Sequence, residues 1–265
     1  MEKIKLEYTH NHSVANITFD DGKGNVMDHI MIEEIQSVLN DIKSDNSLKL
    51  IVFQGAGNHF SFGASVEEHQ KDFAAAMLHE FHNLFYTLRD IGIPTAAKIS
   101  GQCLGGGLEF AAMCNIMFAD KTAKMGQPEI LLGVFAPAAS VIIPEKIGYA
   151  RSDELLITGR TIGAEEALNM GLVNQLFENK EEMNVGLNAW IEQHILPKSA
   201  TSLRYGVKAA RIRFNHILTN FLPQVEAIYV NDLMETQDAN EGVAAFLEKR
   251  KPEWVGNIVN QLEED

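Results

Sequence analysis

The sequence is poor in cysteine and has far fewer basic than acidic residues. Two cysteines in 265 residues, Cys103 and Cys114, cannot form a disulfide framework, so we expect two thiols in a reducing compartment. Lys and Arg total 22 against 36 Asp and Glu, which gives a formal net charge of −14. This charge argues against a protein that binds nucleic acid or anionic membranes through a broad basic face.

Long apolar segments are also absent. Residues 1–8 (MEKIKLEY) do not contain the apolar stretch of a secretory signal, and no run of apolar residues is long enough for a spanning helix. We therefore expect a cytoplasmic protein with neither a membrane nor a nucleic-acid partner. The hydrophobic content of 46% is sufficient for a sizeable buried core.

The first half of the chain alternates strand-like and helix-like segments, which predicts an α/β core. The segments predicted as strands are 13–19, 48–53, 95–99 and 116–119. The segments predicted as helices are 30–42, 66–90, 108–114, 203–214, 222–233 and 242–249. From about residue 180 the pattern is helical throughout. We place a boundary between a core of residues 1–197 and a helical C-terminal region of residues 198–265.

Residues 98–109 (KISGQCLGGGLE) have the pattern of a strand, a glycine-rich turn and the start of a helix. The first amides of a helix have no intrahelical acceptor and lie at the positive end of its dipole, and glycines leave them open to a ligand. Such a turn suits a developing oxyanion. Glu109 shares the helix face of Gly106, about 4.5 Å further along the axis. The alternative is a packing turn followed by a solvated glutamate.

Glu129 lies in a second distinctive segment, residues 126–133 (GQPEILLG). Pro128 argues against an interior helical position for Glu129, and the apolar residues after it indicate partial burial. Burial, or a like charge nearby, would raise the pKa of the Glu129 carboxyl. Taken alone, Glu129 is compatible with an ordinary turn residue. Its chemical interest comes from pairing with Glu109.

Together the two segments resemble the enoyl-CoA hydratase/isomerase family, also called the crotonase family. The resemblance covers nearly the whole chain in the family's order. Its other segments are 60–65 (FSFGAS), 156–162 (LITGRTI), 167–173 (ALNMGLV) and 241–250 (EGVAAFLEKR).

The resemblance implies a crotonase-like spiral of ββα units, followed by a helical C-terminal region that serves in trimer assembly. Trimers of the family commonly pair into hexamers, so a homotrimer or a hexamer is expected. The resemblance places oxyanion-hole amides at Ala64 and Gly106, and the two hydratase glutamates at Glu109 and Glu129. Many relatives with other activities keep only one of these glutamates, so the presence of both favours hydration or dehydration. No cofactor is implied, because coenzyme A enters as part of the acyl-CoA substrate.

Two segments depart from the usual family pattern. Residues 136–140 (APAAS) replace a glycine-rich helix opening, and Pro137 falls where a family amide helps to hold the catalytic water. Proline has no N–H to offer, although it can open a helix. Residues 62–65 (FGAS) replace the usual AGAD. Both departures are similar to the cyclohexa-1,5-diene-1-carbonyl-CoA hydratases of anaerobic aromatic degradation, which add water to a ring. The residues expected to contact substrate are Phe62, Gly63, Ser65, Gly105, Phe135 and Pro137.

Three alternative functions follow from the same residues. An ordinary acyclic enoyl-CoA hydratase would have the same two glutamates. A relative could use the same oxyanion hole for isomerisation or decarboxylation. A catalytically silent scaffold or an RNA-binding relative is disfavoured by the net charge and by the presence of both glutamates.

Three other groups of polar residues have simpler interpretations. Arg204, Lys208 and Arg211 share one face of a predicted helix; contact with coenzyme A phosphates is an alternative to the solvated face that we expect. His79 and His82 are three positions apart without a third ligand, so no metal site is predicted. His69 is expected at the solvent surface.

Overall fold

The computed structural model describes residues 1–256, in which two β-sheets and ten α-helices occur. The strands are β1 (Ile4–Thr9), β2 (Val14–Phe19), β3 (Leu50–Gly55), β4 (Thr95–Ile99), β5 (Gln102–Leu104), β6 (Ile116–Asp120), β7 (Lys124–Gly126), β8 (Thr161–Gly163) and β9 (Gln175–Phe177). The helices are α1 (His29–Ile42), α2 (Lys71–Ile91), α3 (Gly106–Met113), α4 (Pro137–Ile147), α5 (Tyr149–Thr158), α6 (Ala164–Met170), α7 (Lys180–His194), α8 (Ala200–Ala210), α9 (Ile212–Ala227) and α10 (Gln237–Leu247). The α/β class predicted from the sequence is confirmed.

The larger sheet has six strands in the order β1-β2-β3-β4-β6-β9, and all neighbours except β1 and β2 are parallel. Residues 50–53 of β3 are buried without interruption. This is the pattern of a strand covered on both faces, as parallel strands usually are. Burial on both faces explains why β3 is a continuous apolar run in the sequence. In β2, at the less buried side of the sheet, apolar and polar residues alternate.

The smaller sheet has three strands, β5, β7 and β8, and its first two are parallel. In the units β4-β5-α3 and β6-β7-α4, a strand of the large sheet is followed by one of the small sheet and then by a helix. These are the expected ββα units. Leu104 pairs with Gly126 at the ends of β5 and β7, and the Gly105 amide donates to the Gly126 carbonyl at 2.9 Å. The glycine-rich turn and the segment containing Glu129 therefore leave the small sheet side by side.

The C-terminal helices pack on the rest of the chain. Leu218 and Leu222 of α9 belong to the main hydrophobic core, and α9 lies against α4. The predicted helix ends were wrong here: the break falls at Arg211, and α9 runs through to a π-helical turn at Ile228–Asp232. Residues 257–265 of the predicted C-terminal region lie outside the described residues.

Arg204 and Arg211 do not form the solvated face expected from their spacing. Arg211 donates to the carbonyls of Met113 and Cys114, both at 2.7 Å, and Arg204 donates to the Ile91 carbonyl at 3.3 Å. These carbonyls lie at the C-terminal ends of α2 and α3, where they have no partner within the helix. Both arginines therefore join the C-terminal helices to the core. Among residues 1–256, none of the helices has both the length and the apolar character needed to cross a bilayer.

Candidate active site

Two backbone amides, those of Ala64 and Gly106, face the same small space. Gly106 is the first residue of α3, and Ala64 lies in the loop after β3. A Cβ atom placed on Gly106 would be 3.2 Å from the Ala64 nitrogen, and one placed on Gly63 would be 3.5 Å from the Gly106 nitrogen. In the described part of the chain, neither amide donates to a protein acceptor. Two adjacent free amides can bind one carbonyl oxygen.

The loop that carries Ala64 is fixed by hydrogen bonds on both of its sides. The Ser61 hydroxyl donates to the Asn25 carbonyl at 2.7 Å and accepts from the Gly63 amide at 3.0 Å. The Met27 amide donates to the Gly63 carbonyl at 2.9 Å. Gly63 has a φ of +105°, which a residue with a side chain rarely adopts. The direction of the Ala64 amide is therefore determined before any ligand binds.

Glu109 is buried, with 4% of its surface exposed, and its carboxylate meets the N-terminus of α4. The Ala139 amide donates to Oε1 of Glu109 at 2.7 Å. Burial raises the pKa of Glu109, and the nearby His82 and the amides of Ala139 and Ala138 oppose this rise. Pro137 is the first residue of α4, as its helix-opening tendency suggested, and it adds no donor.

Glu129 lies in a 3₁₀ turn, Pro128–Leu132, and is half-buried. With its nitrogen toward Glu129, the Gln127 carboxamide donates to both carboxylate oxygens at 3.1 Å. A Cβ atom on Gly105 would be only 2.6 Å from Oε1 of Glu129, so glycine leaves the room that this carboxylate occupies. Burial, and then the charge of Glu109, raise the pKa of Glu129 well above its usual value.

One cleft contains both glutamates and both amides. Five of the residues expected to contact substrate line it: Phe62, Gly63, Gly105, Phe135 and Pro137. Ser65 does not line it, and instead its carbonyl pairs with Nδ1 of His69 at 2.7 Å. His69 does line the cleft, contrary to the solvent position expected, and burial lowers its pKa. With the proton on Nδ1, its Nε2 is left as an acceptor.

Several residues of the cleft were not foreseen from the sequence. Met77, Leu78 and Phe81 reach it from α2, and Leu132 from the turn after Glu129. The sequence predicts a helix over residues 66–90 but not which cavity that helix would line. His82 is buried against Glu226, with Nδ1 and Oε2 2.7 Å apart, whereas His79 is exposed.

Comparisons with known proteins agree with this geometry. Residues 9–257 match the family profile described as Enoyl-CoA hydratase/isomerase. The chain belongs to this family. It is 41% identical over 251 residues to a cyclohexa-1,5-dienecarbonyl-CoA hydratase from Thauera aromatica, covering 95% of this chain and 96% of that protein. It is 30% identical over 248 residues to a probable enoyl-CoA hydratase from Bacillus subtilis, covering 92% and 95%.

Solved structures of the enoyl-CoA hydratase/isomerase family have the same fold. An enoyl-CoA hydratase from Bacillus halodurans superposes with a TM-score of 0.84 at 21% identity, covering 92% of this chain and 99% of that one. The crotonase-like fold predicted from the sequence is thereby confirmed. Family membership also confirms the predicted enzyme class, an acyl-CoA hydro-lyase.

Proposed function

We propose that the protein adds water to a conjugated cyclic dienoyl-CoA, cyclohexa-1,5-diene-1-carbonyl-CoA. One observation carries the proposal: two carboxyl groups in different environments, Glu109 and Glu129, share a cleft with a pair of free amides. A hydratase needs an acid, a base and an oxyanion site at one place. The similarity to the Thauera aromatica hydratase supports the cyclic substrate over the linear one.

The environments of the two glutamates support a division of roles. Glu109 accepts hydrogen bonds from helix amides that favour its ionised form. The charge of Glu109 then raises the pKa of Glu129, which therefore keeps the proton of the pair. We therefore propose Glu109 as the base and Glu129 as the acid in the direction of hydration. The pair titrates jointly, because each charge affects the other.

The reaction can be written with these groups alone. The thioester oxygen binds the amides of Ala64 and Gly106, which stabilise enolate-like charge as it develops. Glu109 takes a proton from water while the water oxygen bonds to one carbon of the conjugated system. Glu129 gives its proton to another carbon, so that the net change is the addition of one water. The two carboxyl groups exchange roles in dehydration, and proton exchange with solvent resets them.

Much of the lining of the cleft is apolar, which suits a hydrocarbon ring. Phe62, Leu132 and Phe135 line it together with Met77 and Leu78. Phe62 is 46% exposed and lies edge-on to His59, with ring centroids 4.9 Å apart. An exposed aromatic side chain at a pocket mouth is free to stack against a planar diene.

The pH profile of hydration is expected to be bell-shaped, with both limbs above the ordinary pKa of a glutamate. Activity needs Glu109 ionised and Glu129 protonated. The rate should therefore fall toward low pH as Glu109 gains a proton, and fall toward high pH as Glu129 loses one. Measurement of kcat/KM against pH tests this expectation, because that profile reports the ionisations of the free enzyme. A profile without an alkaline limb would contradict the role of Glu129.

The substrate is tested by a parallel assay of cyclohexadienoyl-CoA and crotonyl-CoA. We expect kcat/KM to favour the cyclic substrate by about a hundredfold, or about 2.7 kcal/mol of differential transition-state binding. Mass spectrometry of the product must show the gain of one water, because isomerisation leaves the mass unchanged and decarboxylation lowers it. A preference for crotonyl-CoA would favour the ordinary enoyl-CoA hydratase instead.

We further propose that the protein self-associates as a homotrimer or hexamer in the cytoplasm and uses no cofactor. Large apolar side chains remain exposed on its C-terminal helices, among them Tyr205 at 71% and Ile212 at 74%. Where such side chains form a contiguous patch, they typically mark a contact surface. The two cysteines are buried and unpaired, which fits a reducing compartment.

A further inference from the structure

Tyr229 has a buried hydroxyl group without a hydrogen-bond partner. It lies in the π-helical turn after α9, and its side chain is fully buried. Among the described residues, no group pairs with its hydroxyl oxygen. Leaving a buried hydroxyl unpaired costs stability, so such a group calls for an explanation. Short π-helical turns occur frequently at functional sites.

Tyr229 does not itself line the cleft and packs directly behind residues that do. Its ring packs edge-on against Phe135, with centroids 5.4 Å apart, and it shares a hydrophobic cluster with Met77 and Leu78. All three of these neighbours line the cleft that contains the glutamates. Burial raises the pKa of Tyr229, and the charges of Glu129 and Glu109 raise it further. The phenol therefore keeps its proton, and ionisation of either carboxyl group strengthens its hold on that proton.

The oxygen that is added or removed has few other donors available. The amides of Ala138 and Ala139 at the start of α4 are directed at the Glu109 carboxylate. Pro137 precedes them and has no N–H. The Gln127 carboxamide faces the Glu129 carboxyl group. Tyr229 is the neutral donor near the pair whose hydrogen remains uncommitted within the described part of the chain.

We propose that the Tyr229 hydroxyl donates a hydrogen bond to the oxygen transferred in the reaction. That oxygen is the attacking water in hydration and the hydroxyl of the product in dehydration. One lone pair of the water is then held by Tyr229, one hydrogen points to Glu109, and the second lone pair faces the substrate carbon. This proposal rests on the proposed hydratase function and adds a third polar group to its acid/base pair.

Tyr229→Phe removes the hydroxyl and keeps the ring against Phe135. Because the hydroxyl makes no bond within the protein, the unfolding temperature should stay the same or rise. The kcat for hydration should fall by about tenfold or more, since that hydrogen bond contributes in the transition state. Tyr149→Phe is the matched control, because Tyr149 is 68% exposed at the start of α5 and lies outside the cleft. It should leave both quantities unchanged.

A pair of unreactive ligands separates a contact with the transferred oxygen from a purely structural role. The wild-type enzyme should bind 2-hydroxy-1-methylcyclohexanecarbonyl-CoA more tightly than 1-methylcyclohexanecarbonyl-CoA. Neither ligand has a hydrogen on the carbon next to the thioester, so the hydroxylated one cannot be dehydrated. In Tyr229→Phe this preference should shrink by about the factor lost from kcat, with the Kd of the unhydroxylated ligand unchanged. An undiminished preference in Tyr229→Phe, or a wild-type rate, overturns the role of Tyr229 alone. Absence of hydration by the wild-type enzyme would reject the hydratase function and this role together.

Discussion

Replacement of Glu109 or Glu129 by glutamine is expected to lower kcat for hydration by about 10²–10⁴-fold in each case. Glutamine has nearly the same shape, but it neither removes a proton from water nor gives one to carbon at a useful rate. The loss of ultraviolet absorbance of the conjugated thioester measures the rate. Binding of an unreactive acyl-CoA should change much less, because the proton transfers occur only on the way to the transition state.

The matched control is Glu165→Gln, since Glu165 is exposed on α6 and does not line the cleft. Its rate should equal that of the wild type. The pH profiles provide a second check: Glu109→Gln should lose the acidic limb, and Glu129→Gln should lose the alkaline limb. Near-wild-type rates in both active-site variants would reject the acid/base assignment, whatever their stability.

The part of the site that lies within one short segment could be predicted from the sequence. Gly106 and Glu109 belong to one strand–turn–helix segment, so helical spacing alone placed the carboxylate beside the amide. Ala64 and Glu129 came from the family resemblance, because their closeness depends on tertiary structure. The segment of Glu129 lies beside the glycine-rich turn because Leu104 pairs with Gly126. This pairing could not be predicted, since β5 and β7 have three residues each, too few to show a strand pattern.

Residues from distant elements could not be predicted. Tyr229 packs behind the cleft from a turn that follows Glu129 by 100 positions, and nothing in its local pattern distinguishes it from a core residue. The same limit explains the wrong expectation for Arg211. Its spacing with Arg204 indicates a shared helix face, but the carbonyl groups that it binds are at the end of α3. Helix periodicity shows which residues share a helix face, but it does not show which groups that face contacts.

Gly106→Pro is expected to lower kcat by about 10²–10³-fold relative to Gly106→Ala. Proline removes the N–H that we assign to the oxyanion site, and its ring occupies the direction of that N–H. The first position of a helix tolerates proline, so α3 should still form. A Cβ atom at this position is 3.2 Å from the Ala64 nitrogen and 3.3 Å from the Phe81 ring. Alanine adds the same Cβ atom and keeps the amide N–H. The effect of this crowding therefore cancels in the ratio of the kcat values of the two variants.

Infrared spectroscopy of a bound, unreactive acyl-CoA tests whether the proline weakens hydrogen bonding to the thioester carbonyl. A carbonyl that accepts two hydrogen bonds has a lowered stretching frequency. We expect that shift in the wild type and in Gly106→Ala, and its partial loss in Gly106→Pro. If Gly106→Pro kept both the rate and the frequency shift of Gly106→Ala, the Gly106 amide would not bind the thioester oxygen. The negative charge that forms during hydration would then need another donor, and the proposed mechanism would have to place the substrate differently in the cleft.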